Sequence, residues 1–218
     1  MKRYLTAFFF CLLAFAPAFA QHPPFYDEIK AFREQDSVKF PPKNAILFIG
    51  SSSFNFWKDM PEYFPGYTLI NRGFGGSSLP DVIRYAADII YPYQPKQVVI
   101  YCGENDLTDE TVTPQIVLDR VKKLVGMIRG KFKNLPIIYV SIKPSPSRQH
   151  LMPKMAEANK LIKAYLATQP KAVFVDVYSK MLQADGTPRK DIFVADNLHM
   201  NAKGYAIWKQ AIQPNLIK

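Results

Sequence analysis

The sequence predicts an α/β fold, a three-layer α/β/α sandwich built around about five parallel strands. Short runs rich in β-branched and aromatic residues alternate along the chain with longer segments of helical periodicity. Glycine-containing turns follow the first three of these runs. This alternation favours a parallel sheet, because right-handed crossovers place the connecting helices on both of its faces.

Each element also has a local justification. The first is an amphipathic helix that Pro41 and Pro42 end, since proline cannot continue a helix. Runs of β-formers predict the strands, and the longest helix is predicted where Val121, Leu124 and Ile128 recur at helical spacing. The predicted elements, in chain order, are helix 25–35, strand 45–50, strand 67–72, helix 79–91, strand 97–102, helix 113–132, strand 136–142, helix 153–167, strand 172–177 and helix 201–213.

The length and the first residues predict one exported domain. A chain of 218 residues, 48% of them hydrophobic, is long enough for one well-packed domain and short for two. Residues 1–20 are typical of a secretory signal peptide, because Lys2 and Arg3 precede an apolar run that ends in an A-x-A cleavage pattern. The run is shorter than the roughly 20 residues of a membrane-spanning helix. We therefore expect a domain at 21–218, periplasmic or extracellular, with no membrane span after processing.

Charge and cysteine content restrict the partners. The formal net charge of +10 becomes +8 (10 − 2) once Lys2 and Arg3 are removed. Basic residues between 120 and 133 interleave with apolar ones, which favours a solvated helix face over a site for an anionic polymer. The sequence has no zinc spacing and no nucleic-acid-binding module, so we expect no nucleic-acid partner. After processing, Cys102 is the single cysteine, and we expect it to be buried rather than reactive.

Ser52 lies directly after the first predicted strand, within the segment Gly-Ser-Ser-Ser at 50–53. The carboxyl ends of parallel strands meet at one edge of a sheet, which is where ligands bind in such folds. A serine there can be exposed above the sheet, and its N–H at a helix start can stabilise an oxyanion. A polar turn with a capping serine is the alternative interpretation.

The second and third strands also lead into polar motifs. Segment 71–78 contains three glycines, among them Gly76, which allow backbone N–H groups to approach a ligand. A phosphate or dinucleotide loop is disfavoured because the Gly-Lys-Ser/Thr ending and the spaced glycines are missing, whereas a simple glycine turn remains open. Asn105, after the third strand, can aim an amide at developing negative charge or serve as an ordinary turn former.

Asp196 and His199 form the last motif, in a turn that leads into a predicted helix. Their three-residue spacing allows a carboxylate to orient an imidazole. His199 is the favoured base, because His22 lies at the processed terminus and His150 in a loop. A histidine with only a structural role at the helix start is the alternative.

In content and order the four motifs resemble the SGNH hydrolases, also called the GDSL esterase and lipase family. The resemblance spans residues 45 to 205 and implies a flavodoxin-like α/β/α sandwich. It implies that Ser52 is the nucleophile, His199 the base and Asp196 the residue that orients it. The implied oxyanion donors are the N–H groups of Ser52 and Gly76 and the side-chain amide of Asn105.

The same resemblance implies a serine esterase that needs no metal and no cofactor. Ser51 stands where the family pattern has aspartate before the nucleophile, which leaves the loop geometry and the subfamily open. Because no lid insertion is evident, we expect short acyl substrates, namely O-acetyl groups on carbohydrate. Alternatives are a lysophospholipase or longer-chain lipase or thioesterase, an O-acyltransferase, and a noncatalytic glycan-binding module. Phe54 and Phe74 are predicted as possible substrate contacts, although aromatic residues at such positions often fill a core.

Overall fold

The computed structural model describes residues 22–218, so the signal peptide predicted at 1–20 lies outside the described residues. The strands are β1 (Ile46–Gly50), β2 (Leu69–Gly73), β3 (Gln97–Tyr101), β4 (Ile137–Val140) and β5 (Ala172–Val175). The helices are α1 (Tyr26–Val38), α2 (Ser52–Asn55), α3 (Met60–Tyr63), α4 (Leu79–Arg84), α5 (Ala86–Ile89), α6 (Pro114–Lys131), α7 (Met152–Ala167) and α8 (Ala202–Ile212).

The five strands form one parallel sheet in the order β2-β1-β3-β4-β5, which confirms the predicted α/β fold and its flavodoxin-like topology. Gly50, at the end of β1, is in register with Gly73 of β2 and Tyr101 of β3. Three neighbouring strands therefore end at one level. The loops that follow them start side by side, which is the condition that a site built from distant motifs requires.

Alternation along the strands divides the core into two layers. Leu47 and Ile49 of β1 face a cluster that includes residues of α1 and α4 to α7, whereas Ile46 and Phe48 face a cluster with residues of α2, α3 and α8. All four side chains are fully buried. Because successive strand residues point to opposite faces, an unbroken apolar run covers both layers at once.

Most element boundaries differ from the predicted ones by one to three residues. The helix predicted at 79–91 is interrupted at Tyr85, whose backbone leaves the helical region (φ −96°, ψ 14°), so that α4 and α5 are separate. In α6, Val121 and Leu124 are buried while Lys122 and Lys123 are exposed, as the helical spacing predicts. Among helices in the described part of the chain, none has the length and apolar character needed to span a membrane.

Candidate active site

A sharp turn after β1 presents Ser52. Gly50 adopts φ 132°, and a Cβ at this position would lie 1.8 Å from the carbonyl oxygen of Tyr101, so only glycine fits. Ser51 is extended, and its carbonyl accepts the N–H of Phe54, which starts α2. Ser52 is the first residue of α2 and has a partly exposed side chain. Its N–H lies in the first turn, where a helix has no internal acceptor and carries partial positive charge.

Ser52, His199 and Asp196 form a hydrogen-bonded chain. The Oγ of Ser52 lies 3.1 Å from Nε2 of His199, and Nδ1 of the same ring lies 2.6 Å from Oδ2 of Asp196. A carboxylate beside Nδ1 favours the tautomer with its proton on that nitrogen. Nε2 is then the acceptor that faces the serine hydroxyl.

The Asp196 carboxylate also organises the turn that carries it. Its Oδ1 accepts the N–H of Leu198 at 2.8 Å and the N–H of His199 at 2.9 Å. Desolvation raises the pKa of this carboxyl, but the hydrogen bonds from the His199 N–H, the His199 ring and the Leu198 N–H outweigh it and lower the pKa to about 2. Asp196 is therefore ionised throughout the range in which an imidazole titrates.

Asn105 is directed toward the nucleophile turn. Its Nδ2 donates to the carbonyl of Ser77 at 2.9 Å and to Oγ of Ser51 at 3.2 Å. The serine that replaces the family aspartate thus acts as an acceptor for this amide. The neighbouring Asp106 is buried and caps the start of α4, since its Oδ2 accepts the N–H of Leu79 at 2.9 Å.

The glycine loop after β2 is tied to the same turn. Ser77 Oγ and the Phe74 N–H both donate to the carbonyl of Gly50, at 3.1 and 3.0 Å. Gly75 donates its N–H to Glu28 of α1 at 3.0 Å. Gly76 follows at φ 68° and is exposed. The loop that carries Gly76 is therefore held against both the nucleophile turn and α1.

Phe54 and Phe74 do not contribute a surface to the site. Both side chains are fully buried, Phe54 in the layer of α2 and α8 and Phe74 in the opposite layer. Phe54 makes an edge contact with Trp208 at 5.9 Å, and Phe74 makes one with Phe25 at 5.3 Å. The structure corrects the prediction that they contact substrate, because both rings are used in core packing.

Phe56 and Val194 are exposed apolar residues beside the imidazole, and no signal in the sequence pointed to Val194. Phe56 is 51% exposed and its ring meets the His199 ring edge-on at 4.6 Å. Val194 is 44% exposed, and with Phe56 and Met200 it lines a recess of about 220 Å³ that also reaches Asp196 and His199. The Phe56 N–H donates to the carbonyl of Ser52 at 2.8 Å, so the side chains of these two residues lie on the same face of this helical turn.

Two further expectations concern cysteine and metal. Cys102 is fully buried, which confirms the expectation, and burial raises the pKa of its thiol well above the ordinary value. Within residues 22–218, no group of three or more His, Cys, Asp or Glu side chains has an arrangement that could hold a metal ion.

Comparison with known proteins gives a consistent family. The model of the GDSL-like lipase/acylhydrolase family matches residues 48–207, from β1 into α8. The platelet-activating factor acetylhydrolase IB subunit alpha1 of Pongo abelii is 26% identical over 182 residues, which cover 79% of this chain and 75% of that protein.

Solved structures share the fold. A GDSL-like lipase from Bacteroides thetaiotaomicron matches with a TM-score of 0.72 at 20% identity, over 85% of this chain and 95% of that one. An acetylxylan esterase from Geobacillus stearothermophilus matches with a TM-score of 0.65 at 16% identity, over 81% and 95% of the two chains. With most of its length matched by the family model, the chain belongs to the GDSL-like lipase/acylhydrolase family.

Proposed function

We propose that the protein is an exported serine esterase that removes short acyl groups, with O-acetyl groups on carbohydrate as its substrate class. The observation that carries the proposal is the hydrogen-bonded chain from Ser52 Oγ through the His199 ring to Asp196, at 3.1 and 2.6 Å. Export rests on the signal-like pattern of residues 1–20.

In the proposed reaction Ser52 Oγ attacks the ester carbonyl carbon while Nε2 of His199 takes the hydroxyl proton. The tetrahedral intermediate collapses, the bond to the alcohol oxygen breaks, and His199 returns the proton to that oxygen. Water then attacks the acyl-enzyme with His199 again as base, which releases the acid and restores Ser52. Asp196 keeps the proton of the resting ring on Nδ1 throughout.

The oxyanion is assigned to the N–H groups of Ser52 and Gly76 and to the Asn105 amide. The side-chain amide of Asn105 donates two hydrogen bonds, to Ser51 Oγ at 3.2 Å and to the Ser77 carbonyl at 2.9 Å. The longer one, to Ser51, is the weaker of the two. A charged oxygen is a stronger acceptor than a hydroxyl. We therefore assign that N–H to the oxyanion, with the Ser77 contact keeping the amide in place.

Acetyl as the acyl group is supported by relatives that are named as an acetylhydrolase and an acetylxylan esterase. Carbohydrate as the alcohol is supported by the second of these, which is similar to this chain in fold.

One observation favours a second candidate, a short-acyl esterase for apolar alcohols such as acetylated lipids. His199 must return its proton to the leaving oxygen, so the alcohol part of the substrate lies on the histidine side of the site. On that side stand Phe56, Val194 and Met200, which are apolar. Sugars require hydrogen-bonding groups as well as an aromatic surface, and these three side chains offer no hydrogen-bond donor.

The test compares esters that share an acyl group and differ in the alcohol. Acetylated xylo-oligosaccharide, an acetylated lysophospholipid and p-nitrophenyl acetate, butyrate and octanoate are assayed with the wild type and with Ser52→Ala. We expect acetate release that Ser52→Ala abolishes, together with fluorophosphonate labelling of the wild type only. Equal turnover or labelling of the two proteins would refute the assignment, and a preference for octanoate would indicate a longer-chain lipase.

The same panel decides the alcohol and the reaction type. Phe56→Ala should lower kcat/KM for the lipid ester alone if the apolar candidate is correct. Phe40→Ala is the matched control, since Phe40 is 54% exposed and its ring stacks on Tyr93, before the amino end of β3 and away from the strand ends that carry the motifs. Acetylated alcohol formed from an added acceptor in preference to acetate would identify an acyltransferase.

A further inference from the structure

The loop that carries His199 is held by its carbonyl groups. Three consecutive carbonyls accept hydrogen bonds: that of Asn197 from the Ser147 N–H at 3.1 Å, that of Leu198 from Lys143 Nζ at 2.9 Å, and that of His199 from the Val194 N–H at 2.9 Å. Two of the three donors are backbone groups, which substitution does not remove. Lys143 is the side-chain donor.

Lys143 is unusual because it is a lysine with a side chain only 1% exposed. Its Nζ lies 3.0 Å from Oε2 and 3.2 Å from Oε1 of Glu104, which is also buried. Tyr101 donates its hydroxyl to Oε2 of Glu104 at 2.5 Å, and Arg148 lies 3.1 Å from Oε1. Desolvation raises the pKa of the Glu104 carboxyl, but Lys143, Arg148 and the Tyr101 hydroxyl lower it more, so its pKa falls below the ordinary value.

The contact with Leu198 concerns the peptide group that joins Leu198 to His199. Lys143 holds the carbonyl of this group at 2.9 Å, and Asp196 Oδ1 holds its N–H at 2.9 Å. A peptide group is planar, so fixing both of its polar ends fixes its orientation. The orientation of this plane sets the direction in which the His199 side chain leaves the backbone.

We propose that Lys143, supported by Glu104, is a positioning residue that holds the His199 imidazole in line with Ser52. The inference rests on the proposed function, because it takes His199 to be the catalytic base. Two buried opposite charges contribute little net stability compared with a well-packed apolar pair. We therefore assign the pair a geometric role, which accounts for its burial despite the cost of desolvation.

The test uses Glu104→Gln and the double variant E104Q/K143M. Glu104→Gln retains the Lys143 amine, which donates to Leu198 whether charged or neutral. E104Q/K143M removes that donor together with both charges of the pair, while Arg148, the other cation beside Glu104, keeps a side chain that is 19% exposed and can be solvated. With p-nitrophenyl acetate we expect kcat of the double variant to fall by about 100-fold, the loss that a misplacement of roughly 1 Å can cause, with KM within threefold of the wild-type value. Glu104→Gln should stay within about tenfold of the wild-type kcat, because it keeps the Leu198 contact.

Circular dichroism measures the folded fraction of each variant, and Gln97→Leu is the control for a loss of stability alone. Gln97 is buried at the amino end of β3, where its side chain bonds the backbone of Asn215 and Ile217, so its loss should lower stability and leave kcat unchanged. A double variant with kcat within threefold of Glu104→Gln at equal folded fraction overturns the proposal. So does a kcat loss that only follows the folded fraction. If Ser52→Ala were as active as the wild type, the proposed function would fail first, and the two failures are thus distinguishable.

Discussion

The two halves of the candidate site are built in different ways. Ser52, Gly76 and Asn105 follow three adjacent strands whose ends are in register. Asp196 and His199 lie beyond the last strand, in a turn whose geometry depends on backbone N–H groups that donate to the carboxylate of Asp196 and on the hydrogen bond from Lys143. The sheet sets the geometry of the half that contains Ser52, whereas a few individual side chains set that of the half that contains His199.

The carboxylate that organises the turn is more exposed than the two residues that Asn105 contacts. The carboxylate side chain of Asp196 is 46% exposed, whereas Ser51 and Ser77, which Asn105 contacts, are buried. Partly exposed segments with few apolar contacts open locally at low cost, while strand ends open only with the sheet. We therefore expect changes in the turn to affect catalysis with little effect on stability, and changes at the strand ends to affect both.

The largest effect is expected for Asp196→Asn. The remaining carbonyl oxygen can still accept the N–H groups of Leu198 and His199, so the turn is retained. The new amide N–H then faces Nδ1 and moves the ring proton to Nε2, where it blocks proton transfer from Ser52. By analogy with the serine proteases, kcat for p-nitrophenyl acetate should fall by about 10⁴-fold. The melting temperature should change little.

Measuring kcat and the melting temperature of the same Asp196→Asn preparation checks both parts of this prediction. A loss of kcat smaller than tenfold would show that the carboxylate does not set the tautomer. A large fall in melting temperature would show that the turn contributes to global stability, and the contrast between the two halves would be lost.

A smaller catalytic effect, with a larger structural one, is expected for Asn105→Ala. Removal of one oxyanion donor lowers kcat by about 10²- to 10³-fold in a serine protease. The variant also leaves the carbonyl of Ser77, a fully buried residue, without the amide at 2.9 Å, which costs about 1–3 kcal/mol. Steady-state assays should therefore show a lower kcat for Asn105→Ala, and denaturant unfolding should show a lower free energy of unfolding. A kcat within twofold of wild type would remove Asn105 from the oxyanion assignment.

The sequence located the motif residues of both halves but not Lys143, whose side chain supports the turn. Runs of β-formers locate strand ends, and parallel topology brings those ends together, so Ser52 and Asn105 could be placed without coordinates. Phe54 and Phe74 were misassigned because the sequence does not show which aromatic residues near a site are buried. Phe54 and Phe74 are fully buried, whereas Phe56, which follows α2, is 51% exposed. Lys143 was missed because a lysine after a strand is expected in solvent.

The smallest effect concerns acid stability and separates the exposed carboxylate of Asp196 from the buried carboxylate of Glu104. The pKa of Asp196 is lowered to about 2, and that of buried Glu104 is also lowered, by Lys143, Arg148 and Tyr101 against the effect of desolvation. A depressed folded-state pKa stabilises the fold above the unfolded values of about 3.9 for Asp and 4.3 for Glu. This stabilisation is lost as pH falls through the folded-state value.

The melting temperature should therefore fall as pH drops from about 5 toward 2. Comparing the variants shows how much each carboxylate contributes to the slope of melting temperature against pH. E104Q/K143M should flatten it clearly, because solvent screens a buried carboxylate poorly and the variant no longer has one at this position. Asp196→Asn should flatten it less, since solvent screens a carboxylate that is 46% exposed. If the curves of wild type and E104Q/K143M were parallel, Glu104 would bind its proton equally in the folded and unfolded chains. The charge of the buried pair would then contribute nothing to stability, and the hold on His199 would come from the Lys143–Leu198 hydrogen bond without help from the charge of Glu104.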